Sequence, residues 1–198
     1  MATYFTKSEA RGVADLHRRR LAKSAPVIFA EGNASLQRED SFDVFLSHAK
    51  LDADLVLGVK LLLEDKGLSV YVDWDTDQNL DRSAVSEETA QLLRVRMQQS
   101  KSLLYVATEN ASNSKWMPWE LGYFDGLHQG GVAVFPLLDR SDASFPNQEY
   151  LGLYPVVTKD TYSDRGTIRN DVFVEEPGKR WTFLKSFASG NASWNPNR

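Results

Sequence analysis

The apolar residues of this chain change their period several times, and each change predicts an element. Thr6 followed by Glu9 is a capping-box pattern, and Val13, Leu16 and Leu21 then recur at roughly helical spacing. Residues 6–23 are therefore expected to form one amphipathic helix. Its other face carries Arg11, Arg18 and Arg19, with Arg20 and Lys23 nearby. Such a face is a solvated surface on a helix packed against the main domain or a neighbouring subunit, or else a contact for anionic lipid, RNA or a partner. The polar stretch EGNASLQREDS then reads as a linker ending near Ser41.

From Phe42 the pattern alternates between short apolar runs and helical periods. FDVFLS suits a buried parallel strand, and LDADLVLGVKLLLEDKG is a helix with Leu55, Val59 and Leu62 on one face, closed by Gly67. LSVYVD is the next strand. A polar loop, residues 74–85, leads into a helix through about Gln99, and SLLYVAT is a third strand. A helix opening near Ser114 is ended by Gly130 and Gly131. VAVFPLL gives a fourth strand, in which Pro136 marks the end of the ladder or an edge. LYPVV or DVFVEE supplies a fifth, and GKRWTFLKSFASG reads as a last helix with Trp181, Leu184 and Ala188 inward. Repeated strand–helix alternation with short connections predicts an α/β domain, a parallel sheet covered on both faces. The division expected is an N-terminal helix and linker over 1–40, then a domain with a C-terminal helical extension over 41–198.

Composition narrows the chemistry. A chain of 198 residues, 42% hydrophobic and 25% charged, can build one ordinary domain and bury roughly 70% of its unfolded surface. With no cysteine, disulfides, thiolate metal sites and cysteine nucleophiles are excluded. The net charge of −4 argues against a dedicated nucleic-acid binder. No apolar run approaches the roughly 20 residues of a membrane span, and the N-terminus has no signal-peptide core, so a cytoplasmic protein is expected.

In a sheet of order 2-1-3-4-5, ligands sit outside the carboxyl ends of strands 1 and 3, where the winding reverses. The loops facing that crevice would be Ser47–Asp52 and Thr108–Ser114. The second delivers Glu120 to the rim, in the opening turns of a helix capped by Ser114 or begun by Pro118, where the helix dipole favours a carboxylate. Trp116 lies one turn before it and Trp119 beside it, suiting a flat, cationic aromatic ligand, although either ring could serve the core. Ser47 and His48, at the end of the first strand, could hold ribose or phosphate oxygens, or simply turn back on their own backbone. Trp74 could close over a substrate. A Ser-His-acid hydrolase does not fit adjacent Ser47 and His48, and there is no G-x-S-x-G elbow. Asp73, Asp75 and Asp77 do not form a calcium loop, because Gln78 and Ala84 stand where glycine and glutamate are needed. His17, His48 and His128 lack metal-ligand spacing, and no metal is expected.

FDVFLSHA resembles the first box of Toll/interleukin-1 receptor (TIR) domains, and Ser-Lys-Trp-Met-Pro-Trp-Glu-Leu, residues 114–121, is similar to the S-x-W-C-x-x-E-L element of TIR domains that cleave NAD, with Met117 where a cysteine often stands. YLGLYP, residues 150–155, is similar to segments of bacterial TIR proteins. The resemblance spans about residues 41–158. It implies a flavodoxin-like fold with five parallel strands in order 2-1-3-4-5, Glu120 as the catalytic glutamate, Trp116 lining the nicotinamide pocket, and residues 74–85 as the loop that gates the site and mediates self-association. It further implies that NAD+ is a substrate and no cofactor is needed, that TIR–TIR contacts build a homo-oligomer, and that a cyclic ADP-ribose isomer could signal to a separate effector in anti-phage defence of the Thoeris kind. The alternatives are a non-catalytic TIR adaptor acting through self-association, and a nucleoside deoxyribosyltransferase-like enzyme of the same architecture.

Overall fold

The computed structural model describes residues 3–34, 41–73, 86–143 and 149–196. The predicted loop 74–85, and with it Trp74, lies outside the described residues. At the centre are five parallel strands: β2 (Phe42–Ser47), β3 (Val70–Val72), β4 (Ser100–Ala107), β5 (Val132–Leu138) and the start of β6 (Val156–Asp164). Their order, β3-β2-β4-β5-β6, is the 2-1-3-4-5 winding that the resemblance to TIR domains implies. Alternate residues of each strand feed two cores. Val44, Leu46, Val70, Val72, Leu104 and Val106 pack under α1 (Lys7–Leu21), α2 (Ala25–Ala34), α3 (Ala53–Asp65) and the short α6 (Leu184–Ala188). Phe45, Tyr71, Leu103 and Tyr105 pack under α4 (Glu87–Gln98) and α5 (Met117–His128).

Three sequence expectations are corrected. First, the sheet does not stop at five strands. β6 turns at Arg165–Gly166, both with positive φ, into antiparallel β7 (Thr167–Glu176), followed by antiparallel β8 (Arg180–Phe183) and β9 (Asn195–Pro196). LYPVV and DVFVEE thus contribute neighbouring strands rather than competing for one place. Residues 180–183 are strand, not the opening of a helix, because Trp181 and Phe183 project together onto Phe173 of β7, with ring centroids 5.4 and 5.2 Å away. That alternation has period 2, and only from Leu184 does the chain turn helical.

Second, the buried stripe of α1 is Lys7, Ala10 and Ala14, while Leu16 is 64% and Leu21 46% exposed. The reason is the crossing with α3. A Cβ placed on Gly58 would sit 2.0 Å from the carbonyl oxygen of Ala10, so the two backbones touch and only small residues fit between them. The predicted capping box is formed, with Thr6 Oγ1 accepting from Glu9 N–H and Glu9 reaching back to Thr6 N–H at 2.7 Å. Part of the expected linker is helical, since α2 runs to Ala34. In α3 the buried positions are Leu55, Val56, Leu57, Gly58, Val59 and Leu63, with Leu62 half-buried.

Third, of the two readings of Pro136 the edge is overturned and the end of the ladder holds, since Ala107↔Pro136 is the last rung between β4 and β5. Beyond Val134↔Val156 the ladder from β5 to β6 ends, and β1 (Phe5–Thr6) takes over by pairing with Leu137 and Leu138. Pro136 falls in the changeover, and keeps Ala107 of β4 as its register partner on the other side. The N-terminal strand is thereby wedged between diverging β5 and β6. Thr3 exchanges backbone hydrogen bonds of 2.8 and 2.7 Å with Lys159, and Phe5 stacks on Phe135 at 4.8 Å. This wedge brings the start of α1 to the carboxyl edge of the sheet. No helix among the described residues is long and apolar enough to cross a membrane.

Candidate active site

The carboxyl ends of β2 and β4 meet in register, Ser47 opposite Tyr105, and α5 begins just above them. α5 starts at Met117, whose N–H is accepted by Ser114 Oγ at 3.3 Å, and Pro118 occupies the second helical position, where its missing N–H costs nothing. Three residues on from Met117, Glu120 turns inward and is 2% exposed. Ser47 Oγ donates to Glu120 Oε2 at 2.6 Å, a length typical of a hydroxyl bound to an ionised carboxylate. The two residues are 73 positions apart in the chain, so the sheet winding alone brings them together. The opening turn of α5 adds a favourable field for negative charge at this point.

Tyr105 joins this pair on the same face. It is fully buried, its hydroxyl is 3.5 Å from that of Tyr150, and its pKa is pushed far up, first by burial, then by Tyr150 and by the charge of Glu120. Its phenol therefore stays protonated, a neutral donor beside an acid. Trp116, 7% exposed, packs edge-to-face on Trp119 at 5.5 Å, and Trp119 stacks on Tyr123 at 5.5 Å with the Arg94 guanidinium over its ring. Trp116 also lines a cavity of about 320 Å³ with His48, Lys50, Asn110 and Lys115, near the lower end of the range for small-molecule sites. Glu120 is not on that lining. The indole N–H of Trp116 is buried with no hydrogen-bond partner among the described residues, a donor left over by folding.

The remaining candidates separate. His48 is 4% exposed and its Nδ1 lies 2.9 Å from Leu46 O, so the imidazole folds back on its own strand while still walling the cavity. Glu120 is held by the Ser47 hydroxyl and donates its own N–H to Trp116 O at 2.8 Å, while His48 meets Trp116 on the cavity wall. Sequence reasoning missed Tyr105 and Asp52. Asp52, 5% exposed, accepts from Thr108 Oγ1 at 2.6 Å and from Asn110 Nδ2 at 2.7 Å, tying together the two loops expected to face the crevice. Tyr105 could have been found from its strand register with Ser47; Asp52 could not, because its partners are 56 and 58 residues away. Among the described residues no group of three His, Asp or Glu side chains is placed to hold a metal.

Comparison with known proteins agrees with this geometry. The TIR domain model, "TIR_2: TIR domain", matches residues 44–165. The chain is 44% identical over 170 residues to a Bacillus cereus (strain MSX-D12) protein named "Probable 3' cyclic ADP-D-ribose synthase ThsB'", covering 85% of this chain and 86% of that one. It is 34% identical over 90 residues to a Cytobacillus dafuensis protein named "Putative cyclic ADP-D-ribose synthase TIR2", covering 45% of this chain and 24% of that protein. With its parallel five-strand winding, its crevice at the switch point and a family match spanning most of its length, the chain belongs to the TIR domain family.

Proposed function

We propose that this protein cleaves the bond between nicotinamide and ribose in NAD+ and closes the remaining ADP-ribose into a cyclic isomer, a signal read by a separate effector in anti-phage defence. The observation that carries the reading is the buried Glu120, held by Ser47 beside Trp116, in a chain that aligns along most of its length with a protein named as a cyclic ADP-ribose synthase.

In the reaction, the C–N bond breaks with both electrons leaving on the pyridinium nitrogen, so nicotinamide departs neutral and no general acid is required. Positive charge develops on the ribose carbon and its ring oxygen, as in glycoside cleavage. Glu120 faces that charge, and Ser47 fixes the carboxylate's orientation by holding one oxygen. The low-dielectric surroundings supplied by Trp116 and Tyr105 strengthen its field. A hydroxyl of the same molecule then attacks the ribose carbon and releases its proton, giving nicotinamide, cyclic ADP-ribose and one proton. Water in place of that hydroxyl would give linear ADP-ribose.

The test is mass spectrometry of NAD+ incubated with the purified protein at a concentration where it self-associates, beside Glu120→Gln. Nicotinamide and a product one water lighter than ADP-ribose, formed by the wild type alone, are expected. Linear ADP-ribose alone would make the protein a hydrolase, and no nicotinamide from an assembled wild type would sink the enzymatic reading.

A further inference from the structure

Lys7 is the first residue of α1, yet it is only 8% exposed. A cation in a first helical turn sits at the unfavourable end of the dipole, and lysine is rarely buried without partners. Both costs are offset by one arrangement. Its ammonium donates to Glu109, in the loop after β4, and lies 3.2 Å from Asp139, the residue after β5. Burial works against the charge, but the hydrogen bonds to Glu109 and Asp139 outweigh it and leave the pKa of Lys7 above its ordinary value. The contact with Lys7 in turn holds Glu109 below the usual carboxylate range.

Glu109 stands between Thr108 and Asn110, the two residues whose side chains grip Asp52. The same short segment is closed by Asn110 N–H to Thr108 Oγ1 at 3.2 Å and by Ser114 N–H to Ala111 O at 3.1 Å, and it ends at Trp116 and α5. The wall of the cavity is therefore clamped from two sides, by Asp52 from the loop after β2 and by Lys7 from the N-terminal helix. Resting on the proposed NAD+ chemistry, we propose that Lys7 is a positioning residue for that reaction: it fixes the Thr108–Ser114 loop against the crevice and so makes the N-terminal segment part of the working site. Lys7 touches no reacting atom. Its loss should loosen substrate binding more than the chemical step, because Glu120 and Ser47 keep their own contact.

The test pairs hydrogen exchange with steady-state kinetics in Lys7→Met, which keeps the apolar stem, and Glu109→Ala, which removes the same contact from a side chain 68% exposed and so does not threaten folding. Lys60→Met, on the far side of α3 in an ion pair with Glu64, is the control. Expected are faster amide exchange at Thr108–Ser114 in both test variants, a KM for NAD+ raised roughly tenfold with kcat within about twofold, non-additivity in the double variant, and recovery in Lys7→Arg. Unchanged exchange in that loop, or faster exchange with unchanged KM and kcat, would overturn the proposal. A wild type that releases no nicotinamide would instead sink the proposed activity, while the exchange data still decide whether Lys7 holds the loop.

Discussion

The two edges of the parallel sheet are built from similar polar residues used in opposite ways. At the amino edge, Asp43 accepts from Ser69 N–H at 2.9 Å and from Lys101 Nζ at 2.8 Å, Ser69 Oγ accepts from Asp43 N–H, and Ser102 and Ser100 donate to the carbonyls of Asp43 and Arg96. Most of these bonds end on backbone and pin strand starts together. At the carboxyl edge the decisive bonds join side chain to side chain across long stretches of sequence: Ser47 to Glu120, Thr108 and Asn110 to Asp52, and Lys7 to Glu109. Bonds to backbone hold a turn whatever the side chain's chemistry, whereas bonds between side chains fix the chemical groups themselves. Cavity size does not make this distinction. The larger cavity, about 780 Å³, opens at the amino edge beside Ser100, Lys101 and Gly131, and no fully buried carboxylate lines it.

The sharpest way to break the comparison is to remove one group from the carboxyl edge and leave the shape unchanged. Glu120→Gln is expected to lower NAD+ cleavage by about 10²–10³-fold, roughly 3–4 kcal/mol of transition-state stabilisation, with little change in thermal unfolding. Product assays and a melting curve on the same preparation check both halves. A large fall in stability with activity intact would place Glu120 among the structural residues instead.

The next effect belongs to Asp52. Its replacement by Ala strands Thr108 Oγ1 and Asn110 Nδ2, which Asp52 now satisfies. A cost of about 2–3 kcal/mol in unfolding free energy is expected, read from denaturant titration. A loss of NAD+ cleavage should accompany it, because the cavity wall moves with the loop. The amino edge should show the reverse separation.

Asp43→Asn removes a charge held by Lys101 and Ser69, at an expected cost of about 1–2 kcal/mol with nicotinamide release per folded molecule unchanged. Burial alone would raise the pKa of Asp43, but its hydrogen bonds and the Lys101 charge more than reverse this and leave it lowered. A lowered carboxylate pKa contributes stability above its unfolded value, so the difference between wild type and variant is full at neutral pH. It should fade as the pH falls through about 4 and below. Unfolding curves at several acidic pH values check the sign.

How much of this was legible in the sequence follows from how local each feature is. The strand–helix alternation could be read because FDVFLS, LSVYVD, SLLYVAT and VAVFPLL are each short, apolar and separated by helical periods, whereas the order of the strands follows only from the resemblance to TIR domains. Glu120 could be read because its own neighbours, Trp116, Pro118 and Trp119, are unusual company for an acid, and because SKWMPWEL resembles a family element. Helical spacing puts Leu16 on the apolar face, yet it is exposed, because what decides α1 is a contact with Gly58, far away in sequence. Local spacing places Trp181 on a helix because its partner on the sheet, Phe173, lies in another strand and leaves no local signal. Lys7, in TKSEAR, is indistinguishable from a surface lysine until the fold brings Glu109 and Asp139 to it.

The smallest expected effect lies at the rim of the larger cavity, where Tyr154 OH donates to Asp125 Oδ2 at 3.1 Å. Burial and the neighbouring carboxylate push the Tyr154 phenol up to about 12. A raised folded-state pKa contributes stability that is present in full below the unfolded value near 10 and lost as the pH rises toward 12. Tyr154→Phe should therefore cost under about 1 kcal/mol at neutral pH and leave NAD+ cleavage unchanged. The gap between the variants should close in alkali, followed by unfolding at several pH values above 9 or so. If instead Tyr154→Phe impaired nicotinamide release, the amino edge would be coupled to the chemistry, and the division of labour between the two edges would fail at its weakest contact.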